Sequence, residues 1–309
     1  MDRLTAMEAF VAVAETRSFT RAAARMRLSP AMMTLHVSRL EEHLGVRLFN
    51  RTTRRVDLTA DGRQLLDYAQ AVLEAYASAE RSTRPGGALS GRVRLDVPAS
   101  VGHALIVPAL AQFRRLHPDI VLDLTLGDRG TFFRVDGFDL VMRIGETPLS
   151  GWQTRLLGTT RLVALASPHY VREHGQPQRP EDVVHHRCVL YASVEAPGGN
   201  PWTFAEGGKR VRIRPPASFT FNDGAAIMAA ARAGLGIAHN LEMLARRDLE
   251  TGTLVKVLGD YVAPPLAVVL MGARARIELP HVRAVMDFLS ERIDWNLESL
   301  EQDVIPSEA

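Results

Sequence analysis

The sequence predicts two structural domains of different class: a small helical domain at the N-terminus and a larger α/β domain in the rest of the 309 residues. The first observation is a series of helical apolar repeats between Leu4 and Leu44, interrupted by short turns. The second is a change, from Gly91 onward, to short apolar strands that alternate with helices. Such alternation is typical of mostly parallel sheets covered by helices. The length itself also favours at least two domains.

A helix-turn-helix is predicted between residues 18 and 44. Ser18 can cap a first helix, and Ser29 can cap a second helix with Pro30 at its first position, where a missing N–H costs nothing. Gly45 follows as a stop signal. The apolar stripe of the second helix consists of Met33, Val37, Leu40 and Leu44. Its opposite face is therefore left to solvent or to a partner.

Arginine dominates this part of the chain. Nine arginines lie between Arg17 and Arg55, against only two acidic residues. Residues 47–50 and 56–58 predict two short strands around an arginine-containing turn, which would form a wing. A winged helix-turn-helix inserts one helix into the DNA major groove, where side chains reach base edges and phosphates. We predict that the DNA contacts come from Ser29, Met32, Thr34, Leu35, His36, Arg39, Arg51, Thr52 and Arg54.

The first sixty or so residues resemble the DNA-binding domain of LysR-type transcriptional regulators. The resemblance rests on MDRLTAMEAFVAVAETRSFTRAAARMRLS and on VSRLEEHLGVRLFNRTTRRVDLTADG. The family commonly has Ser and then a polar or basic residue where this chain has Thr34 and Leu35. Thr34 keeps the hydroxyl, and Leu35 either meets a thymine methyl or only packs. The resemblance implies double-stranded DNA with an inverted repeat as a partner, a homodimer or homotetramer, and contact with RNA polymerase.

A long helix is predicted from Thr59, its N-cap, to about Arg84, where Pro and Gly at 85–87 form a break. Its apolar stripe lacks a partner within the segment itself. A second copy of the chain or the α/β domain of the same chain could cover the stripe. We favour the second copy, because two reading heads increase specificity and because the resembled family dimerises through this helix. The predicted dimer contacts are Leu65, Leu66, Ala69, Val72, Leu73 and Tyr76.

The α/β region has enough strands and helices for two small lobes. It resembles the periplasmic-binding-protein-like effector domain of the same family over GRVRLDVPASVGHALIVPALAQFRRLHPDIVLDLTLGDR and over NDGAAIMAAARAGLGIAHN. In that fold a ligand lies between the lobes, at strand C-termini and helix N-termini. The effector contacts implied for this chain are Ala99, Ser100, Val101, Asp128, Arg143, Ile144, Phe221, Asn222, Asp223, His239 and Asn240.

The chemistry of these residues suggests a small organic anion. Backbone N–H groups at Ser100 could hold a carboxylate, Arg143 could supply a counter-charge, and His239 could add a protonation switch. Each residue also has an ordinary structural interpretation. Ser100 can cap a helix, Arg143 can pair with Asp128 or Asp139, and His239 can be a satisfied core histidine.

No enzyme motif is evident. His185, His186 and Cys188 do not have the spacing of a zinc site, and Gly234-Leu235-Gly236 lacks the third glycine and the strand-to-helix setting of a dinucleotide site. We therefore expect neither catalysis nor a metal or organic cofactor. A single cysteine fits a reducing cytoplasm, and no apolar run approaches membrane-spanning length.

The sequence thus predicts four segments. They are a winged helix-turn-helix at 1–58, a linker and dimerisation helix at 59–88, an effector domain at 89–295 and a C-terminal tail at 296–309. The function predicted is DNA-binding transcriptional regulation controlled by a small effector. The alternative is a small-molecule-binding protein whose winged helix serves assembly or protein contacts.

Overall fold

The structure is a computed structural model that describes residues 2–51, 56–82, 89–127, 137–145, 152–192, 196–207 and 209–295. The chain forms two compact units. The first contains residues 1–93, 117–121 and 273–284, and the second contains the remaining residues. The predicted break at 85–87 and the tail at 296–309 lie outside the described residues.

The first unit begins with three helices around one apolar core. They are α1 (Arg3–Thr16), α2 (Phe19–Met26) and α3 (Pro30–Leu44). Ser18 and Ser29 cap α2 and α3 as predicted, because their side chains accept backbone N–H groups one turn later. Gly45 ends α3 with a φ of 70°, which glycine adopts without strain. The buried core includes Phe10, Ala22, Met33, Val37, Leu40 and Leu48.

The predicted wing is an antiparallel pair, β1 (Phe49–Arg51) and β2 (Val56–Leu58). A buried carboxylate fixes it to α3. Glu41 lies on α3 with 6% of its surface exposed, and its Oε1 accepts the N–H groups of Leu48 at 2.8 Å and Phe49 at 3.3 Å. Two N–H donors to one carboxylate compensate for its burial. The wing is therefore held at a defined angle to α3.

Helix α4 (Ala60–Ser82) follows the wing directly. A Cβ added at Gly62 would lie 2.1 Å from the carbonyl oxygen of Leu48, so only glycine permits this close start of the helix. Ala69 is 1% exposed and belongs to the core formed with α1 to α3. The first half of α4 is thus part of the helical domain rather than an isolated linker.

The second half of α4 carries an ionic network. Glu74 contacts Arg276 of α10 (Arg274–Ile277) and His281 of α11 (Pro280–Arg292), each at 3.2 Å. Gln70 accepts a second hydrogen bond from Arg276 at 2.6 Å. His281 is fully buried and its ring lies against Gly91, where an added Cβ would be 2.5 Å away. The helix is therefore anchored by buried polar contacts to residues 200 positions further along the chain.

The first of two five-stranded sheets has the order β4-β3-β5-β14-β6. Its strands are β3 (Gly91–Val97), β4 (Ile120–Leu126), β5 (Leu140–Ile144), β6 (Trp152–Thr160) and β14 (Leu266–Ala273). β3 and β5 are parallel, whereas β14 is antiparallel to β5. After β3 come α5 (Ala99–Val101), a π-helical turn at Gly102–Ile106 and α6 (Val107–Leu116).

The second sheet has the order β11-β8-β12-β7-β13. Its strands are β7 (Leu162–Ala166), β8 (Cys188–Tyr191), β11 (Ala217–Phe221), β12 (Ile237–Leu241) and β13 (Val255–Val257). β8, β11 and β12 are mutually parallel where they pair, but β7 is antiparallel to both β12 and β13. The expectation of mostly parallel sheets is therefore only half right.

Each face of the second sheet has its own cover. One face packs on α8 (Gly224–Arg232) and α9 (Glu242–Glu250). The other is covered by α7 (Pro168–His174), a 3-10 helix at Pro180–His185 and a hairpin of β9 (Trp202–Glu206) and β10 (Lys209–Ile213). None of the described helices is long and apolar enough to cross a lipid bilayer.

Candidate functional site

The outer face of α3 is exposed, as the sequence predicts. Met32 and Leu35 are 41% and 38% exposed. Leu35 therefore does not pack into the core of its own domain. Arg39 is also exposed and makes no ion pair within the described part of the chain. Together they offer apolar and cationic groups on one helix face.

Other predicted residues have more constrained roles. The Ser29 hydroxyl accepts the N–H of Met32, and the Thr34 hydroxyl donates to the Pro30 carbonyl oxygen at 2.9 Å. His36 is half-buried beside them. For Arg51 only the backbone in β1 is described, and Thr52 and Arg54 lie outside the described residues.

Two exposed arginines stand at helix ends, Arg17 after α1 and Arg27 in the turn between α2 and α3. Arg17 and Arg27 end α1 and α2 in the left-handed conformation, with φ of 50° and 55°. A residue with a Cβ pays roughly 1 kcal/mol or more there, and glycine is the usual occupant. The only sign of these helix ends in the sequence is their position. Arg17 stands directly before Ser18, the N-cap of α2, and Arg27 stands directly before Leu28.

The predicted ligand cleft is built by three residues that the fold brings together. Ser100 is 6% exposed, and its Oγ would lie 2.9 Å from a Cβ added at Gly224. Asn240 donates from Nδ2 to the Gly224 carbonyl oxygen at 2.9 Å. Ser100 stands at the start of α5 and Gly224 at the start of α8. The N-terminus of α5, which follows β3 of the first sheet, therefore lies close to the N-terminus of α8, which follows β11 of the second sheet.

Helix N-termini carry unsatisfied N–H groups and a partial positive charge. The N-cap of α5 is Pro98, which makes no side-chain hydrogen bond to the first turn. At α8, Asp223 accepts the N–H of Ala225 at 3.0 Å and so satisfies one donor. Val101 is fully buried and Ala99 is half-buried. The Asp223 carboxylate lies at the N-cap of α8, beside these polar groups.

A π-helical turn follows immediately. The five residues Gly102–Ile106 form the π turn between α5 and α6, and a Cβ added at Gly102 would lie 2.4 Å from a Leu126 methyl. Such π turns often occur at functional sites. This one shifts the register of the helix just after its N-terminus, and the sequence contained no signal for it beyond the glycine.

Arg143 does not offer an unpaired charge. Its Nη1 lies 2.9 Å from Asp96 Oδ2 and 2.7 Å from the Met142 carbonyl oxygen, and both charged side chains are largely buried. The interpretation of Arg143 as a salt-bridge partner is therefore correct, but the partner is Asp96. Asp139 accepts the N–H of Arg94 instead, and Asp128 lies outside the described residues. Ile144 is half-buried next to Arg143.

His239 and Asn240 point to opposite faces of β12, as neighbours on a strand must. The His239 ring lies 5.2 Å from Trp202 and 5.2 Å from Phe204, under the β9–β10 hairpin. Asn240 faces α8 and the cleft. His239 thus lies on the opposite face of β12 from Asn240, so the two side chains cannot contact one ligand together. His239 is buried as the core interpretation expects, but its Nε2 has no hydrogen-bond partner among the described residues, so it is not a satisfied core histidine.

The remaining predicted effector contacts, Phe221, Asn222 and Asp223, lie between the end of β11 and the N-terminus of α8. Phe221 stacks on Phe219 at 6.5 Å, and Asn222 is exposed directly before the Asp223 cap. Phe219 is 47% exposed and was not predicted. The pair forms an aromatic edge on β11 next to the helix N-terminus.

The predicted dimer stripe on α4 divides into two sets. Ala69 is buried in the core of its own chain, and Leu65 and Leu66 pack against that core. Val72 and Tyr76 remain 45% and 50% exposed. Leu73 is half-buried between these two sets.

A groove runs along this exposed part of α4. It has a volume of about 570 Å³ and is lined by α4 and by residues 274–280. Tyr68, which was not predicted, lines it together with Val72 and is 50% exposed.

Comparisons with known proteins agree with this arrangement. A family model described as bacterial regulatory helix-turn-helix protein, lysR family, matches residues 4–63, and one described as LysR substrate binding domain matches residues 86–294. A protein of Escherichia coli K12 named as an uncharacterized HTH-type transcriptional regulator, YhjC, is 34% identical and covers 94% of this chain and 97% of its own. The HTH-type transcriptional regulator CrgA of Neisseria meningitidis serogroup B is 32% identical over 93% and 96% of the two chains.

Solved structures show the same likeness. CrgA, described as a LysR-type transcriptional regulator from Neisseria meningitidis, superposes with a TM-score of 0.60 at 30% identity, over 94% of this chain and 98% of its own. The full-length Vibrio cholerae virulence activator AphB superposes with a TM-score of 0.58 at 26% identity, over 93% and 98%. Both likenesses extend over the helix-turn-helix and both sheets.

Proposed function

The chain belongs to the LysR family of transcriptional regulators, and we propose that its α3 face reads an operator while a small anion bound beside Ser100 controls the response. Regulation of transcription through a helix-turn-helix and a substrate-binding domain is the activity of this family. The residues that perform each step in this chain are our proposal. As a DNA-binding regulator, the protein would act in the cytoplasm.

The exposed face of α3 is the observation that supports the DNA contacts. Leu35 can meet the methyl group of thymine, and Arg39 can contact a phosphate or the guanine edge. The N-cap at Ser29 and the Glu41 contact to the wing hold this face rigid, so its side chains can be presented in one register. Two copies would read the two halves of an inverted repeat.

Binding-site selection from random DNA tests these contacts. The variant Arg39→Gln should lose about tenfold in affinity for all selected sites, with a salt slope lower by about one, because one phosphate contact is lost. Leu35→Ala should instead relax the preference for thymine at one position by about 1 kcal/mol. Arg114→Gln changes an exposed arginine of α6 and serves as a control.

The outcome separates the two functions under consideration. If the protein selects a site and neither α3 variant alters it, α3 is not the recognition helix. If the wild-type protein binds no DNA even at low salt, the winged helix serves assembly instead.

The meeting of two helix N-termini supports an anionic effector. Carboxylates bind at helix N-termini because free N–H groups and the helix dipole favour negative charge. Because Arg143 is paired with Asp96, we propose that the ligand meets the first-turn N–H groups of α8 and the Ser100 hydroxyl, while Asn240 holds the Gly224 carbonyl in place. Such a site would take a small organic carboxylate, with the aromatic edge of Phe219 and Phe221 beside it.

Thermal unfolding with matched ligand pairs tests this class. We expect at least one compound from a panel of aliphatic and aromatic carboxylates to raise the Tm, and its uncharged amide to leave the Tm unchanged. The Gly224→Val variant should abolish the effect, because even a Cβ would already meet Ser100 at 2.9 Å. Equal stabilisation by the amide, or an undiminished effect in Gly224→Val, would place the effector elsewhere.

Self-association and contact with RNA polymerase complete the proposal. The exposed Tyr68, Val72 and Tyr76 of α4 give a second copy an apolar surface. An effector that binds one arrangement of the copies more tightly than another would shift the balance between them, and with it the geometry of bound DNA and access to RNA polymerase.

A further inference from the structure

A second segment rich in basic residues, after the one between Arg17 and Arg55, lies on and after the β9–β10 hairpin. Between residues 207 and 222 there are four basic residues and no acidic one. Arg210, Arg212 and Arg214 are exposed, and no ion pair or hydrogen bond joins their side chains to any described residue. The winged helix does not account for them, because they belong to a different unit of the chain.

The register of the hairpin explains why these arginines share a face. Val211 and Ile213 pack into the core beneath, opposite Phe204 and Trp202. The alternate positions must then point outward, about 6.6 Å apart from one to the next. Their cross-strand neighbours are uncharged, since Arg210 faces Ala205 and Arg212 faces Thr203. The result is a stripe of three guanidinium groups, here called the basic stripe.

A segment of the opposite sign belongs to the same chain. Residues 296–309 contain four carboxylate side chains and no Arg, Lys or His. The chain enters this segment from a fixed point. Trp295 is 1% exposed and donates from Nε1 to the Leu289 carbonyl oxygen at 2.7 Å, and Asp294 pairs with Arg246 of α9 at 2.9 Å.

The tail is long enough to reach the basic stripe. α9 covers one face of the second sheet and the hairpin covers the other, so the tail has to pass around an edge of that sheet. A five-stranded sheet is roughly 24 Å wide, and residues 296–309 span up to about 46 Å when extended. Tethering also gives the tail a high effective concentration near the stripe.

We propose that residues 296–309 dock on the basic stripe of Arg210, Arg212 and Arg214. Charge complementarity, a free row of cations and an exit point on the same sheet together favour this occupant. The docked tail neutralises the stripe, so that the effector domain does not attract DNA and the winged helix remains the DNA-contacting surface. Because exposed charges in water are screened, the contact weakens as salt rises.

Site-directed photo-crosslinking tests the contact in the full chain. A thiol-reactive crosslinker is placed on the variant Ser307→Cys. The single native thiol does not compete, because Cys188 is fully buried and burial raises its pKa to about 12. We expect crosslinks to residues 202–214 at about 50 mM salt and at least about fivefold fewer at about 500 mM salt.

Matched triple variants make the test specific. In the background Arg210→Gln, Arg212→Gln, Arg214→Gln the crosslinks should fall by the same factor. The background Arg114→Gln, Arg115→Gln, Arg172→Gln removes three other exposed arginines and should leave them unchanged. Crosslinks elsewhere on the chain, or crosslinks insensitive to the first triple, would overturn the proposal.

Measurements of DNA affinity distinguish the two candidate occupants of the basic stripe, the tail and DNA. With the tail in place, the first triple variant should bind DNA as the wild type does. If it loses affinity instead, the stripe is a DNA contact and the docking proposal is wrong. Neutralising the tail with Glu298→Gln, Glu301→Gln, Asp303→Asn and Glu308→Gln should raise the affinity for non-specific DNA and steepen its salt dependence, by up to about three counterions.

Discussion

At the scale of single residues, the buried imidazole of His239 contributes to the response of the protein to acid. It is enclosed by Trp202 and Phe204, and its Nε2 makes no hydrogen bond within the described residues. Burial lowers its pKa to about 3. In the unfolded chain the pKa is about 6.5, so below that pH the unfolded state binds a proton that the folded state excludes. Stability is therefore present above pH 6.5 and is lost as the pH falls.

The variant His239→Phe should remove this acid sensitivity. A phenyl ring can occupy the aromatic site without a titratable group. Wild type should lose about 1.4 kcal/mol of unfolding free energy per pH unit below about pH 6.5 from this residue, and the variant should not. Urea unfolding at pH 7.5, 6 and 5 measures the difference. His103→Gln changes an exposed histidine and should follow the wild type; parallel curves for wild type and His239→Phe would contradict the assignment.

At the scale of elements, α4 is held by charge as well as by apolar packing. Glu74 joins it to Arg276, which is 8% exposed, and to His281, which is fully buried. Burial raises the pKa of the Glu74 carboxyl, but the hydrogen bond and charge of His281 and the charge of Arg276 outweigh it, so the net direction is downward. This contribution to stability is present at neutral pH and is lost in acid, as the pH falls below about 4.5.

Replacing Glu74 by alanine should be costly for this reason. The change removes the carboxylate partner of a buried guanidinium, which keeps Gln70 as an acceptor on α4. We expect a loss of about 2–3 kcal/mol in the free energy of unfolding, somewhat less than for a fully buried pair because Glu74 is partly exposed. Denaturant unfolding measures it, with Glu74→Gln as the control that keeps an acceptor. A loss under about 0.5 kcal/mol in Glu74→Ala would show that the network does not anchor the helix.

At the scale of the whole molecule, our proposal is that the exposed part of α4 forms the contact between copies. Val72 is 45% exposed and lines the groove formed with residues 274–280. Val107 on α6 has the same exposed fraction and does not line that groove. The two valines therefore form a matched pair for testing the interface.

Val72→Asp should weaken self-association at least about tenfold, because a charge would be buried between two copies without a partner. Val107→Asp should leave it unchanged. Sedimentation over a range of concentrations measures both. Should the two variants associate equally well, α4 is not the dimer contact; should Val107→Asp dissociate the copies, the interface lies on α6.

Much of the helical domain could be predicted because its signals are local. The caps at Ser18 and Ser29, the stop at Gly45 and the apolar repeat of α3 act within a few residues, and the structure confirms the caps and the stop. The repeat is confirmed at Met33, Val37 and Leu40 but is wrong at Leu44, which is 42% exposed at the end of the helix. Local sequence determines these elements, since hydrogen bonds one turn away and side-chain periodicity need no distant partner.

Tertiary structure alone decided what depends on pairing over long separations. All strands of the second sheet lie between β5 and β14 in the sequence, so the antiparallel direction of β14 could not be read locally. β12 is central and buried on both faces, so its sequence does not show that Asn240 faces the cleft and His239 the aromatic core. Arg143 likewise forms its ion pair with Asp96 on a neighbouring strand, 47 residues away in the sequence. The sequence by itself determined the family and the helices of the N-terminal domain. Only the fold decided which polar groups remain available to a ligand, because that depends on which charges it pairs.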